Sequence, residues 1–184
     1  MHPLYLRRIG KACFGFGPSR CIDSIHSAGL FMSIIDYLAA DQIMVGVAGS
    51  SKKQLIEQLT ERAAELTGLC RRSLFEIVMR RERLGSTAIG NGIAIPHAVH
   101  QDLTRTVGII AVLTSPVDFD AQDCKPVDIV CLVIGPQNAD NDHLKCLSSV
   151  ARSLREVAIC DQIRTAKTPN ELIGHLGNTS DEAA

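Results

Sequence analysis

The segment GNGIAIPH, residues 90–97, ends in a histidine set directly behind a proline. Imidazole has an ordinary pKa that places both of its protonation states near neutral pH, so His97 is a candidate nucleophile, acid–base group or metal ligand. Pro96 fixes its own φ, lacks an N–H and drives Ile95 toward extended geometry. The ring of His97 is therefore presented from a stiff stem. Gly90 and Gly92 allow backbone angles and close approaches that a Cβ would block. A rigid imidazole beside a small-residue loop suits close approach by another molecule. Local physics leaves a second reading equally open, in which His97 is a satisfied surface histidine at a strand end.

Other chemistries fit these residues less well. His97, His100 and the distant His143 form a three-histidine metal set in principle. However, HAVH (97–100) follows an extended segment and holds no glutamate, whereas an HExxH helix carries its own general base. No metal is expected. Cys146 lies three residues beyond His143 on one expected helix, a common chance spacing for a Cys–His pair. Neither a GxxxxGK[ST] loop nor a GxGxxG fingerprint occurs, so no nucleotide cofactor is expected.

The elements that must position these groups are visible as changes of period. SSKKQLIEQLTERAAELTG (50–68) has Leu55, Leu59, Ala63 and Leu66 on one face of a helix. Ser51 and Gln54 fit a capping box, and Gly68 fits the residue just past the helix end. RRSLFEIVMRRERLG (71–85) is a second helix, with Leu74, Phe75, Val78 and Met79 inward and Gly85 ending it. The short link between them predicts a helical hairpin. GIAIPH is a short strand. VGIIAVLTSPVDF (107–119) and VDIVCLVIG (127–135) are nearly continuous apolar runs, as expected of central strands covered on both faces. A helical period returns over 138–156 through Leu144, Leu147, Val150, Ala151 and Leu154, and two short helices fit 157–167 and 168–177. Helices, strands and helices in that order predict a single α/β domain, a mixed β-sheet flanked by helices.

Composition sets outer limits. A chain of 184 residues with 46% apolar content supports one domain with a real core. A net charge of -1 gives no basic patch for nucleic acid. The longest apolar runs fall far short of the roughly 20 residues of a membrane span. Seven cysteines, an odd number with no CxxC pair, predict a reducing, cytoplasmic setting. Residues 1–31 show no sustained period and no signal-peptide core. They are expected to be a poorly ordered extension, or an upstream start not used in the cell. The domain is expected over 32–176, with a tail at 177–184.

The stretch RRERLGSTAIGNGIAIPHAV (80–99) resembles the signature of the type-2 enzyme IIA domains of the bacterial phosphoenolpyruvate-dependent phosphotransferase system. The wording is most similar to the nitrogen-regulatory branch. The resemblance runs over about 32–176, through SIIDYL, the helical hairpin, the strand pair and DHLKCLSSVAR. It implies that His97 accepts a phosphoryl group from a histidine phosphocarrier protein, through the Nε2 side. It implies that Arg81 is the active-site arginine and His143 a second active-site histidine that donates to the phosphoryl group. A guanidinium can fork across two phosphoryl oxygens. Ser86 and Thr87 are candidate hydroxyl or backbone donors, and Asn91 and Gly92 shape the adjoining loop. Arg80 and Arg83 read as surface charges, and His100 as loop surface.

Two outputs follow from such a site. In a regulatory protein the phosphorylation state is read by target proteins, for which the resemblance implies control of potassium transport, a sensor kinase, or nitrogen and carbon metabolism. In a transport protein the group passes to a cysteine of enzyme IIB and then to a sugar such as fructose or mannitol. The wording GSTAIGNGIAIPH favours the first. A binding module that accepts no phosphate is the third alternative.

Overall fold

The two apolar runs form the centre of the sheet, β5 (Val107–Val117) and β6 (Val127–Pro136), paired antiparallel with Ile110 opposite Cys131. The computed structural model describes residues 38–138 and 142–178. The extension 1–31, the opening SIID and most of the expected tail lie outside the described residues.

Alternation along these strands divides the core. Ile109, Ala111, Leu113, Val130, Leu132 and Ile134 point to one face; Ile110, Val112, Ile129, Cys131 and Val133 point to the other. Both sets are buried, so the stretches 109–113 and 129–134 are apolar at every position. The first face is covered by α1 (Lys52–Thr67) and α2 (Arg71–Glu82), through Leu55, Leu59, Leu74 and Val78. The second is covered by α3 (Asp142–Ser153), α4 (Val157–Thr165) and α5 (Pro169–Asn178), through Val150, Ile163 and Leu172. This is the mixed sheet flanked by helices that the sequence predicts.

The helix boundaries follow their caps. Ser51 Oγ accepts the Gln54 N–H at the start of α1, while the Gln54 side chain returns to the Ser50 N–H rather than to Ser51. Gly68 closes α1 in the left-handed region at φ 72° and donates to the Ala64 carbonyl. An edge strand not anticipated from the sequence, β1 (Ile43–Val47), runs parallel to β5 with an irregularity at Gly46. Its five residues are interrupted by a glycine, which hides the strand period.

GIAIPH does not form one strand. β2 (Ala88–Gly90) turns back through Asn91 and Gly92 into β3 (Ile93–Ala94), and β4 (His97–His100) begins after Pro96. Both β3 and β4 lie parallel to β6 in one register: Ile93 faces Ile129 and His97 faces Val133. They are one extended line along β6, interrupted where the proline has no N–H to offer. The Pro96 carbonyl still accepts the Val133 N–H, at 2.9 Å, so the interruption stays docked on the sheet.

Candidate functional site

His97 opens β4, half-buried, with its backbone held against Val133. Its Nδ1 lies 2.8 Å from the Ile95 carbonyl oxygen. A carbonyl only accepts, so Nδ1 carries the proton and Nε2 keeps a lone pair. Ile95 is itself anchored, since its N–H donates to the Thr87 carbonyl at 3.0 Å. Proline thus does more than stiffen the stem. It keeps the Ile95 carbonyl where it selects the tautomer of the ring two residues later.

Arg81 comes from the last turn of α2. Its Nε donates to His97 Nε2 at 3.1 Å, and one terminal nitrogen donates to the Gly85 carbonyl at 3.2 Å. The nucleophilic nitrogen and the guanidinium are in direct contact. Burial lowers the His97 pKa below its ordinary 6.5; the Ile95 carbonyl opposes this, and the Arg81 charge lowers it further. The Glu82 charge also opposes the lowering, but the net shift is downward and favours the neutral ring.

His143 starts α3 and is 8% exposed. Its ring packs on Gly135, where an added Cβ would stand 2.3 Å from His143 Nδ1. Gly135 is the β6 partner of Val99, two residues beyond His97, which brings the second imidazole to the same end of the sheet. Burial lowers the pKa of His143, and charge on His97 lowers it further. His143 Nδ1 is buried without a hydrogen-bond partner among the described residues. A neutral His143 can leave its lone pair there and offer Nε2–H outward.

The remaining candidates separate into two groups. The Thr87 hydroxyl and N–H both donate to Glu82, at 2.6 and 3.1 Å, and the Ser86 hydroxyl donates to the Phe119 carbonyl. Both hydroxyls are committed to bracing the turn after α2. Asn91 and Gly92, at φ 55° and 81°, form the two-residue turn between β2 and β3. Gly92 lies against Asp128 and Ile129 of β6, four residues before the partner of His97, or roughly 13 Å away along the strand. Asn91 and Gly92 instead border a cavity of about 380 Å³ with Lys125, Asp128 and Arg164.

His100 is corrected. It was expected on a loop surface but is buried at 8% exposure on β4, beside Ala98 facing α2. Asp102 N–H donates to its Nδ1 at 3.2 Å, so Nε2–H donates to Ser73 Oγ at 3.0 Å. It ties the strand of His97 to the helix of Arg81. Both ring nitrogens are committed, which removes it from any shared ligand set with His97. No group of three His, Cys, Asp or Glu side chains with metal-site geometry occurs among the described residues.

Large apolar side chains are exposed around these groups. Leu84, three residues past Arg81, is 82% exposed; Leu144, next to His143, is 62% exposed; Val99 follows on β4. Leu144 was expected on the inner face of its helix and instead faces out. Among the described residues no helix is long and apolar enough to cross a membrane.

Residues 36–178 match the family model described as phosphoenolpyruvate-dependent sugar phosphotransferase system, EIIA 2, and the chain belongs to that family. Its members are components of the phosphotransferase system. Among curated proteins it is similar to the nitrogen regulatory protein of Bradyrhizobium diazoefficiens, 42% identical over 136 residues, 74% of this chain and 89% of that one. The nitrogen regulatory protein of Escherichia coli K12 is 41% identical over 137 residues, 72% of this chain and 84% of that one. The crystal structure of nitrogen regulatory protein IIA-Ntr from Neisseria meningitidis superposes with a TM-score of 0.73 at 32% identity, covering 78% of this chain and 98% of that chain.

Proposed function

We propose that His97 accepts a phosphoryl group on Nε2 from the phosphohistidine of a small histidine phosphocarrier protein, and that the phosphorylation state of the chain is its regulatory output. The observation that carries this reading is the Nδ1–H bond to the Ile95 carbonyl, which leaves Nε2 as the basic nitrogen beside Arg81. In the transfer, Nε2 attacks phosphorus as the donor's P–N bond breaks. The proton stays on Nδ1, donated to the Ile95 carbonyl throughout. Nε2 can no longer accept from Arg81 once it bonds phosphorus, so the guanidinium moves onto the phosphoryl oxygens. His143 adds a second donor. Catalysis of this kind is alignment and electrostatic stabilisation of charge on those oxygens.

The apolar rim of Leu84, Val99 and Leu144 supplies the docking surface for the carrier. The added group brings roughly one and a half to two negative charges to the centre of that rim. A target that binds the bare rim is repelled, and one with a cation opposite His97 is favoured. The resemblance to nitrogen regulatory proteins over most of the chain supports a regulatory output; the targets we propose lie in potassium transport, sensor kinases, or nitrogen and carbon metabolism.

The test is intact-mass measurement after incubation with phosphoenolpyruvate, enzyme I and the carrier. One added phosphoryl group, lost in acid and kept in alkali, is expected. His97→Ala abolishes it, and Arg81→Ala slows it by roughly a hundredfold, the scale of losing one preorganised donor. Unchanged labelling of the His97 variant rejects the site. Rapid transfer onward to an enzyme IIB cysteine would replace the regulatory output with sugar transport.

A further inference from the structure

Four chain segments meet at one buried carboxylate directly beside Arg81. Glu82 is the last residue of α2, and its side chain is 2% exposed. One oxygen accepts the Thr87 N–H at 3.1 Å and the Lys52 ammonium at 3.0 Å; the other accepts the Thr87 hydroxyl at 2.6 Å. Lys52, the first residue of α1, also pairs with Asp120 at 2.8 Å and lies 5.5 Å from the centre of the Phe119 ring. The Ser86 hydroxyl pins the same turn to the Phe119 carbonyl. The start of α1, the end of α2, the turn 84–88 and the segment 118–120 are thus clamped together.

The clamp has a consequence for the site. The end of a helix frays unless its terminal groups find partners, and Arg81 sits in the last turn. Its guanidinium must reach His97 Nε2 at rest and phosphoryl oxygens during transfer. The turn that Glu82 holds also carries Thr87, whose carbonyl anchors Ile95 and, through it, the tautomer of His97. A carboxylate buried this deeply is costly unless charged partners surround it. Here Lys52 and Thr87 supply three charge-assisted bonds. Burial pulls the Lys52 ammonium down, but Asp120 and Glu82 outweigh it and leave its pKa raised, so Lys52 is charged at neutral pH.

We infer that Glu82, held by Lys52, is a positioning residue for phosphoryl transfer: it aligns Arg81 on His97 Nε2 through the clamped turn and contacts neither donor nor phosphoryl group. The inference rests on the phosphoryl-transfer reading of His97. Leu84 lies on the same turn, so the half-saturating donor concentration is what separates alignment from docking.

Glu82→Gln is the test, since it keeps the shape and the acceptor for Thr87 N–H while removing the charge. With phosphorylated carrier as donor, the expected result is a maximal rate lowered roughly ten- to a hundredfold by misalignment. The half-saturating donor concentration stays within about twofold, as for an interaction made only in the transition state. In an Arg81→Ala background, Glu82→Gln costs clearly less than in the wild-type chain, because only its route through Thr87 and Ile95 to His97 remains. A wild-type maximal rate, or an equal loss with and without Arg81, overturns the inference. A second readout needs no donor: the Arg81 Nε–H resonance is expected to lose its protection from exchange in Glu82→Gln. An unchanged resonance in the folded variant also overturns it. Should Glu82→Gln fail to fold, Thr87→Val carries the same resonance test with the same two outcomes. A wild-type chain that takes no phosphoryl group defeats the functional reading instead, and leaves the resonance test standing.

Discussion

At the level of single residues, the site is a problem of which nitrogen holds a proton. The Ile95 carbonyl answers it for His97, and burial keeps the ring neutral. Both His97 and His143 are lowered from 6.5, first by burial. Each therefore titrates below 6.5 in the folded chain, and each binds more protons unfolded than folded in the window just beneath that value. Their contribution to stability is complete above the unfolded pKa and is lost as pH falls through the window. Imidazole ¹⁵N titration is the direct check, with Nδ1 of His97 protonated throughout. A midpoint at or above 6.5 for His97 would contradict the buried environment. His97 itself was legible in the sequence, because Pro96 and the two glycines mark it. The tautomer was not, because it depends on where the strand carries the Ile95 carbonyl. Glu82 went unnoticed for a related reason. Within RERLGST it reads as one more surface charge, and its cation, Lys52, is thirty residues earlier.

At the level of elements, α2 and β4 each bring one member of the Arg81–His97 pair, and their mutual placement is what the surrounding contacts preserve. The His100–Ser73 bond joins them at the inner end, and the Glu82 clamp joins α2 to the turn at the outer end. His100 could have been found by alternation: it lies two residues from Ala98, which faces the α1–α2 core. Ending the strand at His97 and reading His100 as loop surface removed that period. The helical hairpin was legible because caps and apolar stripes agree. Gly68 gives its conformational test. An added Cβ there meets nothing within 4 Å, yet φ is 72°. Gly68→Ala thus introduces backbone strain without a clash, and should cost about 1 kcal/mol. For a domain of this size that is a fall in Tm of roughly 2–4 °C. Thermal denaturation measures it, and an unchanged Tm would show that the cap relaxes.

At the level of the whole molecule, two apolar layers on one sheet make the interior chemically quiet. Cys131, Cys146 and Cys160 are buried, and burial pushes Cys131 up to about 12 and Cys146 up to about 11. Cys70 and Cys124 are exposed. A thiol reagent applied to the native protein, followed by peptide mapping, should mark Cys70 and Cys124 quickly and the three buried thiols only at the rate of unfolding. Fast labelling of Cys146 would mean that α3, and with it His143, opens readily. The layered sheet was legible from the continuous apolar runs of β5 and β6. The edge strand β1 was not, since its character comes from pairing with β5 rather than from its own five residues.

The contact between Arg81 and His97 Nε2 bears on which donors the chain accepts. At rest the Nε2 lone pair, which attacks phosphorus in the proposed transfer, is already engaged by a guanidinium. Any donor has to displace that bond before phosphorus can approach. A protein that covers Leu84, Val99 and Leu144 brings binding energy enough to do so, whereas a small acyl or inorganic phosphate brings almost none. The resting hydrogen bond therefore acts as a filter on molecular size. Under the proposed transfer, it would tie phosphorylation to a protein donor and insulate it from the general pool of reactive phosphates.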